Sequence, residues 1–144
     1  MVIAADTSFL FALYGNDCHS ATAARWIAAR SEPIWISAFN DFELRNALRF
    51  SEFSQRVATG TSTRQLSLFD HAIGAGRVIL SQPSLVLILA EANRLSFAHT
   101  LRGGHRSFDI LHVAATKVIG ASHFLTFDTN QKTLAEREGL IVPI

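Results

Sequence analysis

Four carboxylates occupy positions where chemistry is common. Asp6 follows the apolar run Val2-Ile-Ala-Ala at once, and Asp128 follows His123-Phe-Leu-Thr-Phe. Short unbroken apolar runs suit strands buried on both faces, as in a parallel sheet. Sites in such sheets lie at the carboxyl ends of the strands, so both acids are expected at one edge. Asp109 opens an apolar helical segment, and Glu43 lies in the second turn of another, on or beside its inward stripe. Both segments begin just after the chain has crossed a sheet edge, so these acids can converge on the first two. Acids held within a few Å raise one another's pKa or demand cations. Hard oxygen ligands select Mg²⁺ or Mn²⁺. Two such ions roughly 3.5–4 Å apart can activate a water and stabilise the leaving oxygen of a phosphodiester. Thr7, Ser8, Thr126, Thr129 and Asn130 add neutral oxygens or donors around such a centre. Each acid also has a plainer reading. Asp6 and Asp128 can be helix N-caps, and Asp109 a charge that favours a helix dipole.

The elements that must position these residues can be read along the chain. Strands are expected at 2–5, 34–36, 78–80, 123–127 and 140–142. Helices are expected at 7–14, 20–30, 38–52, 63–75, 84–98, 108–119 and 130–138, with Ser37 and Ser107 as caps. Residues 55–63 are expected as a polar connector, and Leu101-Arg-Gly-Gly-His-Arg106 as a flexible basic loop. Strands alternating with one or two helices predict an α/β domain with a parallel sheet of about five strands and helices on both faces. There is no repeat and no internal linker, so residues 1–144 are expected to form a single domain.

Composition narrows the function classes. The chain has 144 residues, 49% of them hydrophobic, enough for one substantial core. The single cysteine, Cys18, excludes an internal disulfide and a Cys-based zinc site. The longest apolar runs are interrupted by Glu91, His112 and Lys117, and the N-terminus lacks a secretory pattern. A cytoplasmic protein with no membrane segment is expected. A net charge of +1 does not announce nucleic-acid binding. All but Lys117 and Lys132 of the basic residues are arginines, whose forks suit phosphate. Arg102 and Arg106, flanking Gly103-Gly104, are candidate RNA-phosphate contacts. No Gly-x-Ser-x-Gly elbow supports a serine hydrolase, and His112 is assigned to packing or to support of the acids. A phosphoacceptor domain would need a lysine after a strand, which neither lysine satisfies.

Four segments carry a resemblance. Val2-Ile-Ala-Ala-Asp6-Thr-Ser-Phe-Leu, Phe42-Glu43-Leu-Arg-Asn-Ala-Leu, Phe108-Asp109-Ile-Leu-His-Val-Ala-Ala-Thr and Leu125-Thr-Phe-Asp128-Thr-Asn resemble, in order and along nearly the whole chain, the motifs of PIN-domain nucleases. The resemblance implies a PIN-like three-layer domain and a Mg²⁺- or Mn²⁺-dependent ribonuclease. Asp6, Glu43, Asp109 and Asp128 match the family's acidic metal-binding and catalytic residues. The chain resembles the VapC-like toxin half of bacterial toxin–antitoxin pairs, which implies an RNA substrate, a homodimer and a small cognate antitoxin. The mechanism so implied is in-line attack of a metal-bound water on phosphorus, leaving a 5′-phosphate. The alternative is a PIN-fold module with a degraded site that binds RNA or a protein partner without cutting.

Overall fold

A computed structural model describes residues 1–144. Three-residue strands form a four-stranded parallel sheet in the order β3-β2-β1-β4. They are β1 (Ile3–Ala5), β2 (Ile34–Ile36), β3 (Val78–Leu80) and β4 (His123–Leu125). β1 is followed by α1 (Thr7–Tyr14) and α2 (Ser20–Ala28), and β2 by α3 (Ala38–Phe53) and α4 (Thr61–Gly74). β3 leads into α5 (Leu85–Leu95), a π-helical turn (Ser96–Thr100), the short α6 (Leu101–Gly103) and α7 (Ser107–Ile119), and β4 into α8 (Thr129–Arg137).

The sheet is buried on both faces, and its alternation sorts two cores. Ile3 and Ala5 point with Ile34, Ile36, Val78 and Leu125 into a layer closed by α1 to α4 through Phe9, Leu10, Ala23, Leu44, Leu48 and Phe69. Ala4 and Phe124 point the other way, against Ile88, Leu95, Val113, Ala114 and Leu134 from α5, α7 and α8. The result is three layers, as expected.

Three expectations are corrected. The strand at 140–142 is a single parallel bridge between Ile141 and His123. Pro143, two residues on, has no N–H to extend a ladder. The first half of the loop expected at 101–106 is helix. The chain from Leu85 meets no Gly or Pro before Gly103, and it stays helical until Gly104, whose φ of +64° ends it. Ser107 is the first residue of α7 rather than its cap. Arg106 holds the cap position without a capping bond from its side chain.

Candidate functional site

The site begins where β1 and β4 end side by side. Ala5 pairs with Leu125, and the Asp6 N–H donates to the Leu125 carbonyl at 3.0 Å. Asp6 then caps α1. Its Oδ1 accepts from the Phe9 N–H at 3.0 Å and from Ser8 Oγ at 2.8 Å, and its Oδ2 accepts from Thr126 Oγ at 2.8 Å. The carboxyl is fully buried, and burial pushes its pKa up to about 6 against the pull of these hydrogen bonds. Asp128 caps α8 through Oδ1, which accepts from the N–H groups of Asn130 and Gln131 at 2.8 and 2.9 Å. Both acids are therefore N-caps, and Asp109 stands in the first turn of α7.

These local roles leave room for a shared one. Glu43 from α3, Asp109 from α7 and Asp128 line one cleft of about 400 Å³, together with Thr7, Ser8, Arg106 and Gln131. Asp6 lies behind Thr7 and Ser8, out of contact with solvent. Arg106 is the counterion in this cleft. Its Nε donates to Asp109 Oδ2 at 2.9 Å, and a terminal nitrogen stands 3.6 Å from Asp128 Oδ2. Gln131 Nε2 donates to Asp109 Oδ1 at 3.2 Å.

Glu43 is held by a chain of polar groups. Asn40 Oδ1 accepts from both the N–H and the Oγ of Ser37, at 2.9 and 2.8 Å, which closes a capping box at the start of α3. That bond aims Asn40 Nδ2 at His112 Nδ1, 3.0 Å away. An amide NH₂ only donates, so Nδ1 must accept, and the proton of the neutral ring sits on Nε2. His112 Nε2 then donates to Glu43 Oε2 at 2.6 Å. This bond is the main reason that the Glu43 pKa lies below the usual range, against the opposing effect of burial, with smaller help from Thr7 and Arg106. The opposite wall carries His19 stacked on Phe127, centroids 4.3 Å apart and planes 7° from parallel.

The donor chemistry fits a divalent cation, since every group facing the cleft from Glu43, Asp109 and Asp128 is a hard oxygen. No three His, Cys, Asp or Glu side chains are arranged to hold a metal ion as they stand. Arg106 already neutralises two of the acids, but its side chain is 74% exposed, so rotation about its own bonds frees them.

The other sequence-stated residues divide. Ser8 and Thr126 hold Asp6, and Thr7 Oγ lies 3.4 Å from His112 Nε2. Asn130 is not among the residues that line the cleft. Arg106 enters the cleft, and Arg102 does not: it belongs to a separate concavity with His99 and Arg137. Sequence reasoning missed Asn40, Gln131 and His19. Ser37-x-x-Asn40 and Asp128-x-x-Gln131 have i,i+3 spacings that could have been read as a capping box and a shared helix face. His19 and Phe127 are distant in sequence and have no such signal.

A family model of the PIN domain matches residues 3–137. The chain belongs to the PIN-domain family. No curated protein matches it. Its fold is similar to that of solved structures at low identity. Mycobacterium tuberculosis VapC20, described as a toxin that cleaves the sarcin-ricin loop, has a TM-score of 0.70 at 20% identity, over 96% of each chain. FitAcB from Neisseria gonorrhoeae has a TM-score of 0.62 at 16% identity, over 98% of this chain and 96% of that one. PAE2754 from Pyrobaculum aerophilum has a TM-score of 0.61 at 19% identity, over 99% and 89%. No helix of the chain is long and apolar enough to cross a membrane.

Proposed function

We propose that this chain is a divalent-metal-dependent endoribonuclease of the cytoplasm and the toxin component of a toxin–antitoxin pair. The observation that carries the reading is the cleft in which carboxylates from α3, α7 and the α8 cap meet, with a fourth buried behind them. Membership of the PIN family and a fold shared with an RNA-cleaving toxin support it. Glu43, Asp109 and Asp128 are the proposed metal ligands that face the cleft, and Asp6 is the proposed ligand behind it. A bound Mg²⁺ or Mn²⁺ would supply a water more acidic than bulk water and a charge that offsets the phosphate.

The chain's own residues do the positioning. Ser8 and Thr126 fix the Asp6 carboxyl, Gln131 turns Asp109, and the Asn40–His112 pair turns Glu43. Once released from Asp109, the Arg106 guanidinium can fork onto a phosphate. The His19–Phe127 stack offers a flat face for an unpaired base. Exposed apolar residues support protein partners, a second copy of the chain and a cognate antitoxin. They include Phe42, Phe50 and Phe53 on α3 and Phe97 and Leu101 after α5.

The test is a panel of structured RNAs incubated with Mg²⁺ or Mn²⁺, with and without EDTA, with the product ends mapped. Cleavage that needs metal, leaves 5′-phosphates and disappears in Asp109→Asn is expected. RNA that is bound but left intact with Mn²⁺ would instead support a degraded binding module, which the Arg106–Asp109 pairing favours.

A further inference from the structure

Arg102 and Arg137 share a second basic concavity. It measures about 310 Å³ and is lined by Ala98, His99, Arg102 and Arg137. Both arginines are exposed, and neither has a carboxylate within ion-pair distance. The neighbouring acid is already spent. Glu138 accepts from Arg94, from Lys117 Nζ at 2.5 Å and from His99 Nε2 at 2.6 Å. Glu91 pairs with Arg94 as well. Two guanidinium groups from different elements are thus left facing one space with their charge uncompensated, in a chain whose net charge is only +1.

The backbone is shaped to produce this. The π turn Ser96–Thr100 widens the helix where His99 meets Glu138 and carries Arg102 onward from it. Such wide turns recur at functional positions. Gly103 lets the chain close over His105: a Cβ there would fall 2.4 Å from His105 Nε2. His105 is buried beside Asn130, with both ring nitrogens unpartnered. The segment 102–106 therefore lies along α8, with Arg106 near Asp128 at its cap and Arg102 near Arg137 at its last turn. Nine helical residues put those ends about 13 Å apart. A nucleic-acid strand that enters the acidic cleft has phosphates within reach of both.

We propose that Arg102 and Arg137, beside His99, form a second phosphate-binding pocket that holds the RNA backbone a few nucleotides beyond the acidic cleft. It deepens, and rests on, the ribonuclease reading above. Phosphate is the ligand that two forked, planar cations suit best. A pocket that takes backbone phosphate adds affinity without sequence preference.

The double variant R102Q/R137Q tests it. Binding of a labelled single-stranded 12-nucleotide RNA is measured by anisotropy in EDTA across a salt series, beside polyglutamate as an acidic-protein probe. Cleavage of RNAs of increasing length is then measured with Mn²⁺. The variant is expected to melt with the parent and to bind RNA about tenfold more weakly. Its log K against log salt slope should be shallower by about 1.4, the release expected for two single-strand contacts. The gain in kcat/KM that the parent shows on longer RNA should vanish. Equal affinity, salt slope and length dependence in the two proteins overturns the pocket while leaving the ribonuclease reading intact. A loss confined to polyglutamate overturns it in favour of an acidic protein segment. A loss of RNA binding in proteins that cut nothing supports the pocket and sinks the ribonuclease reading instead.

Discussion

Asp6 is a buried acid with three donors aimed at it and no cation against it. Its raised pKa has a consequence for stability. Between its ordinary value near 3.8 and about 6, the folded protein keeps a proton that the unfolded chain has released. Stability therefore falls as pH rises through that window, and the penalty persists above it. Asp6→Asn keeps the cap geometry, since Asn is as good an N-cap as Asp, and it removes the charge. In EDTA at pH 8 this variant is expected to melt higher than the parent by roughly 6–12 °C, or about 3 kcal/mol. At pH 4 the difference should close. Calorimetry of both proteins checks this; equal melting at pH 8 would show that the ionised carboxyl carries no penalty. The same substitution should abolish cleavage, which separates a ligand from a residue kept for stability. The acid positions were legible from their places after apolar runs. Of the groups that hold them, Ser8, Thr126 and His112 were named from the sequence, while the bonds of Arg106 and Gln131 to Asp109 were not, because they depend on side-chain directions that only the packed helices define.

At the scale of elements, α3 and α8 do most of the positioning. α3 is fixed by its Ser37–Asn40 box and by Leu44 and Leu48, both without solvent exposure. Leu48→Ala leaves the Glu43 face untouched but opens a void. It is expected to cost roughly 2–5 kcal/mol, read as a lower urea midpoint at unchanged m. An unchanged midpoint would mean that the first core repacks around the loss. α8 is held at its far end by Glu138. Burial would raise that acid, but its bonds to Arg94, Lys117 and His99 win and bring its pKa down to about 2. Its contribution is present above its ordinary value near 4.5 and is lost as pH falls toward 2. Of the order of 2–3 kcal/mol should disappear across that window, and Glu138→Gln should flatten the acid limb of the stability curve. A parallel acid limb in the variant would assign the loss to other carboxylates. The helix periods were readable, apart from the end of α5. There the sequence offers Gly103-Gly104 as a loop signal, while the helix runs up to those glycines through a π turn that no apolar period marks.

Across the whole molecule, the order of strands and helices was legible because each strand is built on a short apolar run, most of it buried. The three-layer arrangement follows from that pattern alone. The fifth strand was not, since Leu140-Ile-Val142 looks like the others until Pro143 and the single bridge to His123 are seen. The fold brings the ends of β1 and β4 side by side and carries α3 and α7 over them, so acids far apart in sequence meet at one edge. What the fold leaves between two of them is an arginine. For the chain to cut RNA, this cleft must exchange Arg106 for a divalent cation. A crystal soaked in Mn²⁺ and measured at the manganese edge tests that exchange most directly. An anomalous peak among Asp109, Asp128 and Glu43 is expected, with the Arg106 side chain swung into solvent. A cleft without a peak, with Arg106 still bonded to Asp109, would contradict it.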